Sequence, residues 1–247
     1  MRKKAYKLIA LFVAIIGAYL YLSNTYIYYR IRTAGLLATD NRHEYLINSQ
    51  SEQTMLYVSL GDSLTAGVGT DKYEESYPYL LASKLAASGQ SITLENFSYP
   101  GAKSSDLIKD LLKPAIAAQP KMITLLIGTN DVHGNISSKD FEAHYRQILS
   151  SLKSETKAKI YAINLPHIGS ETLILPPDSF YLNKRTEDFN KIIEKVAEEY
   201  QVQYIDIYSP TFKIFEKDGP HYASDAFHPS ALGYAIWSEI IYDRIYR

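Results

Sequence analysis

Three observations predict an α/β protein, with a parallel five-stranded sheet covered by helices on both faces and one further helix ahead of it. From residue 55 onward, short apolar runs of strand length alternate with longer amphipathic stretches, the pattern of parallel strands joined by helical crossovers. The chain has 247 residues, 46% hydrophobic and 21% charged, enough for one full core plus an appendage. That appendage lies at the N-terminus, where residues 8–29 carry no charge at all.

The apolar part of that segment approaches the ~20 residues a helix needs to cross a bilayer. Arg2, Lys3, Lys4 and Lys7 precede it, and Arg30 and Arg32 follow. The bias predicts an N-terminus inside the cell and the bulk of the chain outside. Tyr19, Tyr21, Tyr26, Tyr28 and Tyr29 gather at the far end, where aromatic side chains favour the headgroup level. No good small-x-small cleavage site follows the apolar run. Residues 1–32 are therefore expected to be a basic flank and a retained, single-pass signal anchor. A cleaved signal peptide and a secreted domain is the alternative. Residues 33–54 are polar and irregular and are expected to be a stalk, unless Leu36, Leu37, Leu46 and Ile47 dock part of them on the domain. Residues 55–247 form the domain itself.

Charge and cysteine content exclude several classes. The net charge is −1, with +6 before residue 33, so the remainder carries −7. An acidic domain argues against nucleic acid as a partner. With no cysteine in the chain, disulfides, thiolate metal sites and a thiol nucleophile are impossible.

The strands are expected at 55–60, 92–97, 122–127, 159–164 and 203–207. The helices are expected at 77–87, 104–118, 139–153, 182–200 and 230–246, the last with Leu232, Ile236 and Ile240 at four-residue spacing. In a parallel sheet the strand ends share an edge, where ligands and chemistry collect. The first strand stops at Gly61, which permits a tight turn, and Asp62, Ser63 and Leu64 follow. Ser63 becomes a nucleophile only if a base takes its proton and donors stabilise the charge that develops. The second strand leads into Asn96-Phe-Ser-Tyr-Pro-Gly101, the third into Gly128-Thr-Asn130-Asp131. The Gly101 N–H, the Asn130 amide and the Ser63 N–H would make three donors on one edge. Taken singly, Gly101 reads as a turn glycine and Asn130 as a turn residue. Near the C-terminus, Asp225-Ala-Phe-His228-Pro229 has a spacing that brings a carboxylate to Nδ1 of His228 and leaves Nε2 free. Pro229 is expected at the first position of the last helix.

Taken together and in this order, Gly61-Asp-Ser63-Leu, Gly101 after Asn96, Gly128-x-Asn130-Asp131 and Asp225-x-x-His228 resemble the SGNH (GDSL-type) hydrolase superfamily. Within it the chain resembles bacterial lipase/acylhydrolase members, including lysophospholipase-like ones. The resemblance implies a flavodoxin-like, three-layer α/β/α fold. It implies Ser63 as nucleophile, His228 as base, Asp225 as the residue orienting that base, and an oxyanion hole of the Ser63 N–H, the Gly101 N–H and Asn130. It implies no metal and no organic cofactor.

Other signals carry less. Ser150-x-x-Lys153 and Ser154-x-x-Lys157 fall on a polar helical stretch and read as surface. His43, His133, His144, His167 and His221 lack metal-site spacing, and His133, close behind the Asn130 motif, reads as an exposed loop residue or as one lining the pocket. The 22 tyrosines could stack on sugars, but most fall where strands or helices bury them. Residues 165–181 combine prolines with Ile168, Leu173, Ile174, Leu175 and Phe180. They read as a lid or acyl-chain contact, or as a connection packed on the core. The substrate readings are an acyl ester, with lysophospholipids as one candidate, or O-acetyl groups of cell-wall or surface glycans. A non-catalytic glycan- or lipid-binding module is a third reading, which the complete Ser63, Asp225 and His228 set disfavours.

Overall fold

The computed structural model describes residues 2–34, 44–48, 54–87 and 89–246; Leu36 and Leu37 lie outside them. Nine α-helices occur among the described residues. Helix α1 (Arg2–Thr33) precedes strands β1 (Glu44–Ile47) and β2 (Thr54–Gly61), helix α2 (Tyr77–Ala86) and strand β3 (Ser91–Ser98). Helix α3 (Ser104–Asp106) runs through a π-helical turn, Leu107–Leu111, into α4 (Leu112–Ala117). Strand β4 (Met122–Leu126), α5 (Thr129–His133), α6 (Ser138–Glu155), β5 (Lys159–Ile163) and α7 (Asp178–Glu199) follow. Strand β6 (Gln203–Ile205), α8 (Tyr208–Phe215) and α9 (Ala231–Tyr246) complete the chain.

The sheet has six strands in the order β1-β3-β2-β4-β5-β6. Strands β2 to β6 pair in parallel, and β1 pairs antiparallel with β3. The expected wholly parallel, five-stranded sheet is thus corrected to a mixed, six-stranded one. The added strand comes from the stretch read as a stalk. Tyr45 is buried and stacks on Tyr73 at 4.7 Å, while Leu46 points outward. A four-residue strand with one buried side chain is too short for its alternation to stand out in a polar segment.

The three-layer arrangement follows from the alternation of side chains along each strand. Val58, Leu60, Ile123, Leu125, Ile160 and Ala162 face one core with Phe141, Tyr145 and Leu149 of α6 and Phe189 and Ile193 of α7. Tyr57, Met122, Leu126, Tyr161, Ile163 and Ile205 face the other, with Tyr77 and Leu81 of α2 and Tyr234 and Trp237 of α9. Each large apolar side chain buried this way contributes ~1.5–3 kcal/mol. Several tyrosines of the domain are structural: Tyr57, Tyr73, Tyr77, Tyr145 and Tyr234 are among its largest fully buried side chains.

Register decides where the loops emerge. Gly61 is level with Ser98 on one side and with Leu126 on the other, so the segments after β2, β3 and β4 leave the sheet at one edge. Glycine is needed at 61 for closeness rather than for its backbone angle. A Cβ there would lie 2.2 Å from the Thr65 hydroxyl oxygen and 2.3 Å from the Leu126 carbonyl oxygen.

The stretch Lys3–Thr33 is long and apolar enough to cross a membrane. The last part of α1 nevertheless touches the domain. Ser23, Ile27, Arg30, Ile31 and Ala34 are half-buried, a single face at helical spacing. Ser23 Oγ donates to Asp178 Oδ2 at 2.8 Å, and the Arg30 guanidinium donates to the Ser224 carbonyl at 3.1 Å.

Candidate active site

The turn after β2 sets out the first group. The Asp62 carbonyl accepts from the N–H groups of Thr65 (3.1 Å) and Ala66 (2.9 Å), and the Ser63 carbonyl accepts from Val68 N–H at 3.0 Å. This tight coil holds Ser63 at the sheet edge with 6% of its surface exposed. The small residues that follow leave no open space around Ser63. Thr65 and Ala66 are buried, and the Thr65 hydroxyl packs 3.0 Å from that of Tyr77 on α2.

The segment before α9 supplies the second group. Ala223 N–H bonds the His228 carbonyl at 2.8 Å and Ser230 N–H bonds the His221 carbonyl at 2.9 Å, closing a compact loop with Ala226 at φ 58°. Within it, Asp225 Oδ1 accepts from the backbone N–H groups of Phe227 and His228, both at 2.9 Å. Asp225 Oδ2 lies 2.6 Å from His228 Nδ1, and His228 Nε2 lies 3.1 Å from Ser63 Oγ. Three side chains spread over 165 positions thus form one hydrogen-bonded line. Burial alone would raise the Asp225 pKa, but the bonds from His228 and the two backbone N–H groups bring it below the usual carboxylate value. The carboxylate therefore stays charged beside the imidazole. In this geometry the imidazole can take the serine proton while the carboxylate holds its tautomer. Pro229 does not start α9, which begins at Ala231. Pro229 instead pairs with Tyr222 in an isolated bridge, where its fixed backbone stiffens the loop carrying His228.

The donor groups gather at the same edge. Gly101 adopts φ +85°, a backbone conformation that side chains disfavour, and a Cβ there would meet nothing within 4 Å. Among the described residues, neither the Ser63 nor the Gly101 N–H bonds a backbone carbonyl. Asn130 Nδ2 donates to the Ala102 carbonyl at 2.9 Å and makes only a long contact, 3.5 Å, with Asp62 Oδ2. One of its two N–H bonds is therefore weakly held.

Two carboxylates that sequence reasoning passed over knit these pieces together. Asp131 Oδ2 accepts from Ser104 N–H at 2.9 Å and Oδ1 from the Ser104 hydroxyl at 2.5 Å. The Asn130 motif thereby anchors the start of α3, three residues past Gly101. Asp62 is fully buried and its Oδ1 accepts from Leu64 N–H at 3.0 Å. Burial, only partly offset by the Leu64 N–H and reinforced by the nearby charge of Asp131, pushes its pKa up to about 7. The available signal was adjacency, since each acid sits beside a named site residue. His133 is exposed at the end of α5, with its ring 6.0 Å from that of Phe227. Among the described residues no group of three or more acidic or histidine side chains could hold a metal ion.

The chain is similar to several known proteins. Residues 59–236 match the GDSL-like lipase/acylhydrolase family. The spore germination lipase LipC of Bacillus licheniformis is 26% identical over 206 residues, covering 75% of this chain and 94% of its own. A lipase/acylhydrolase from Enterococcus faecalis is 24% identical, covers 77% of this chain and 95% of its own, and superposes with a TM-score of 0.63. The acetylxylan esterase Axe2 of Geobacillus stearothermophilus shares the fold at a TM-score of 0.61 and 19% identity, over 79% of this chain and 94% of its own. With the family profile matched from β2 into α9, the chain belongs to the GDSL-like lipase/acylhydrolase family and is a carboxylic ester hydrolase.

Proposed function

We propose that the protein is a membrane-anchored serine acylhydrolase that cleaves carboxylic esters through Ser63, His228 and Asp225. One observation carries the reading: His228 lies between Ser63 Oγ at 3.1 Å and Asp225 Oδ2 at 2.6 Å. His228 Nε2 takes the Ser63 proton as Oγ attacks the ester carbonyl carbon. The oxyanion that forms is stabilised by the N–H groups of Ser63 and Gly101 and by Asn130. As the tetrahedral intermediate collapses, the C–O bond to the alcohol breaks and His228 gives that oxygen its proton. Water then attacks the acyl-enzyme, again losing a proton to His228. The acid leaves and Ser63 Oγ recovers its proton. Asp225 orients the imidazole and stays ionised throughout. Helix α1 anchors the enzyme, with its basic N-terminus in the cytoplasm and the domain outside.

The test is hydrolysis of p-nitrophenyl esters, from acetyl to palmitoyl, by the full chain in detergent. Ser63→Ala should abolish turnover on every ester while leaving the thermal transition in place. Activity close to the parent's would sink the nucleophile assignment. A rate confined to acetyl esters would replace the acyl-ester reading with glycan deacetylation, while binding without hydrolysis of any ester would return the domain to a binding module.

A further inference from the structure

We propose that α1 is not only an anchor but one wall of the acyl-chain site, so that the substrate is a long-chain ester lipid of the membrane holding the enzyme. This rests on the serine-acylhydrolase reading above. A cavity of about 660 Å³ lies between α1 and the domain, within the size range of small-molecule sites. Leu20, Ile27 and Ile31 of α1 face Ile168, Ile174 and Phe227 across it. Phe227 connects the cavity to the chemistry, because its ring packs 5.0 Å from that of His228. Ile168 and Ile174 belong to the 165–181 connection. They are buried against the core and at the same time line this space.

The dimensions place the cavity at the membrane surface. Helix α1 has 32 residues, about 48 Å at 1.5 Å per residue. Residues 2–7 form the basic flank on one side and the hydrocarbon core takes ~20 more, leaving roughly six of the helix beyond it. The half-buried face from Ser23 to Ala34 therefore straddles the outer edge of the hydrocarbon core. From Leu20 to Ile31 the lining face of α1 runs about 17 Å, apolar at Leu20, Ile27 and Ile31 with Asn24 and Tyr28 between them, a length suited to an extended alkyl chain. A lipid with its chain between α1 and the domain would present its ester at headgroup level, next to Ser63. A water-soluble acetylated glycan would leave that wall unused.

The experiment uses the full chain in detergent micelles and reads the ratio of kcat/KM for p-nitrophenyl palmitate to that for p-nitrophenyl acetate. In the parent, kcat/KM should rise about two- to fourfold per added methylene until the cavity is filled. Ile27→Trp and Ile31→Trp place an indole in the space and should each lower the ratio at least tenfold. Val13→Trp, on the exposed earlier part of α1, should leave it unchanged. A ratio within tenfold of the parent's in both cavity variants overturns the proposal. So does complete loss of both activities in both variants, since α1 would then be supporting the domain rather than the chain of the substrate. Acetate hydrolysis that survives Ser63→Ala would instead defeat the underlying esterase reading.

Discussion

At the scale of single residues, the proposed mechanism depends on donors held ready for a charge that is not yet there. Asn130 spends one N–H on the Ala102 carbonyl, which fixes the amide and aims the other. Removing one such donor elsewhere lowers kcat by about 10²–10³. Asn130→Ala should therefore lower kcat by that factor and leave KM within about threefold, since the interaction strengthens only in the transition state. Steady-state kinetics on one ester check it, and an equal effect on KM alone would remove Asn130 from the hole. Asp62 makes a different prediction, about stability. Folding raises its pKa from 3.8 to about 7, so between those values the folded chain holds a proton that the unfolded chain has released. This group therefore withdraws stability as pH rises from about 4 to about 7. Asp62→Asn removes that titration. Across the window the variant should gain on the parent by about 1–4 kcal/mol, read from urea midpoints at each pH. A constant difference across pH would mean that Asp62 titrates normally.

At the scale of elements, the nucleophile turn is built by close approach between β2 and β4. The space for a side chain at Gly61 is already occupied by the Thr65 hydroxyl and the Leu126 carbonyl. A backbone carbonyl in a parallel sheet cannot move aside cheaply, so Gly61→Ala forces β2 and β4 apart next to Ser63. It should destabilise the protein by about 1–3 kcal/mol, seen as a lower urea midpoint at unchanged slope, and it should lower kcat as well. A variant as stable and active as the parent would show that the turn relaxes freely. The same reasoning explains why Asp131 matters. By bonding the first residue of α3, it makes the loop after β3 and the helix after β4 one rigid unit, with Gly101 and Asn130 at its two ends.

At the scale of the whole molecule, one sheet edge collects the candidate site, and in the proposed topology α1 ties it to the membrane. In intact protoplasts, external protease should digest the domain while a tag at the N-terminus stays protected; the reverse pattern would overturn the proposed orientation. Much of this plan was legible in the sequence. Strand–helix alternation from residue 55 fixed the α/β class, because it reports which side chains avoid water. The positions of Ser63, Gly101, Asn130, Asp225 and His228 could be picked out because tight turns at strand ends demand small or polar residues with local spacing. What the sequence could not give were relations between distant segments. Strand β1 was hidden because four residues in a polar stretch have no periodicity of their own, and only the exposed edge of β3 selects them. The short helices α5 and α8 also went unread. Asp62 and Asp131 look like ordinary polar residues until the sheet buries them beside Asn130 and Ser104. Chemistry and class lie in residue types and their spacing along the chain. The 3.1 Å from His228 to Ser63, the burial of Asp62 and the cavity under α1 were decided by packing, which joins residues that the sequence holds far apart.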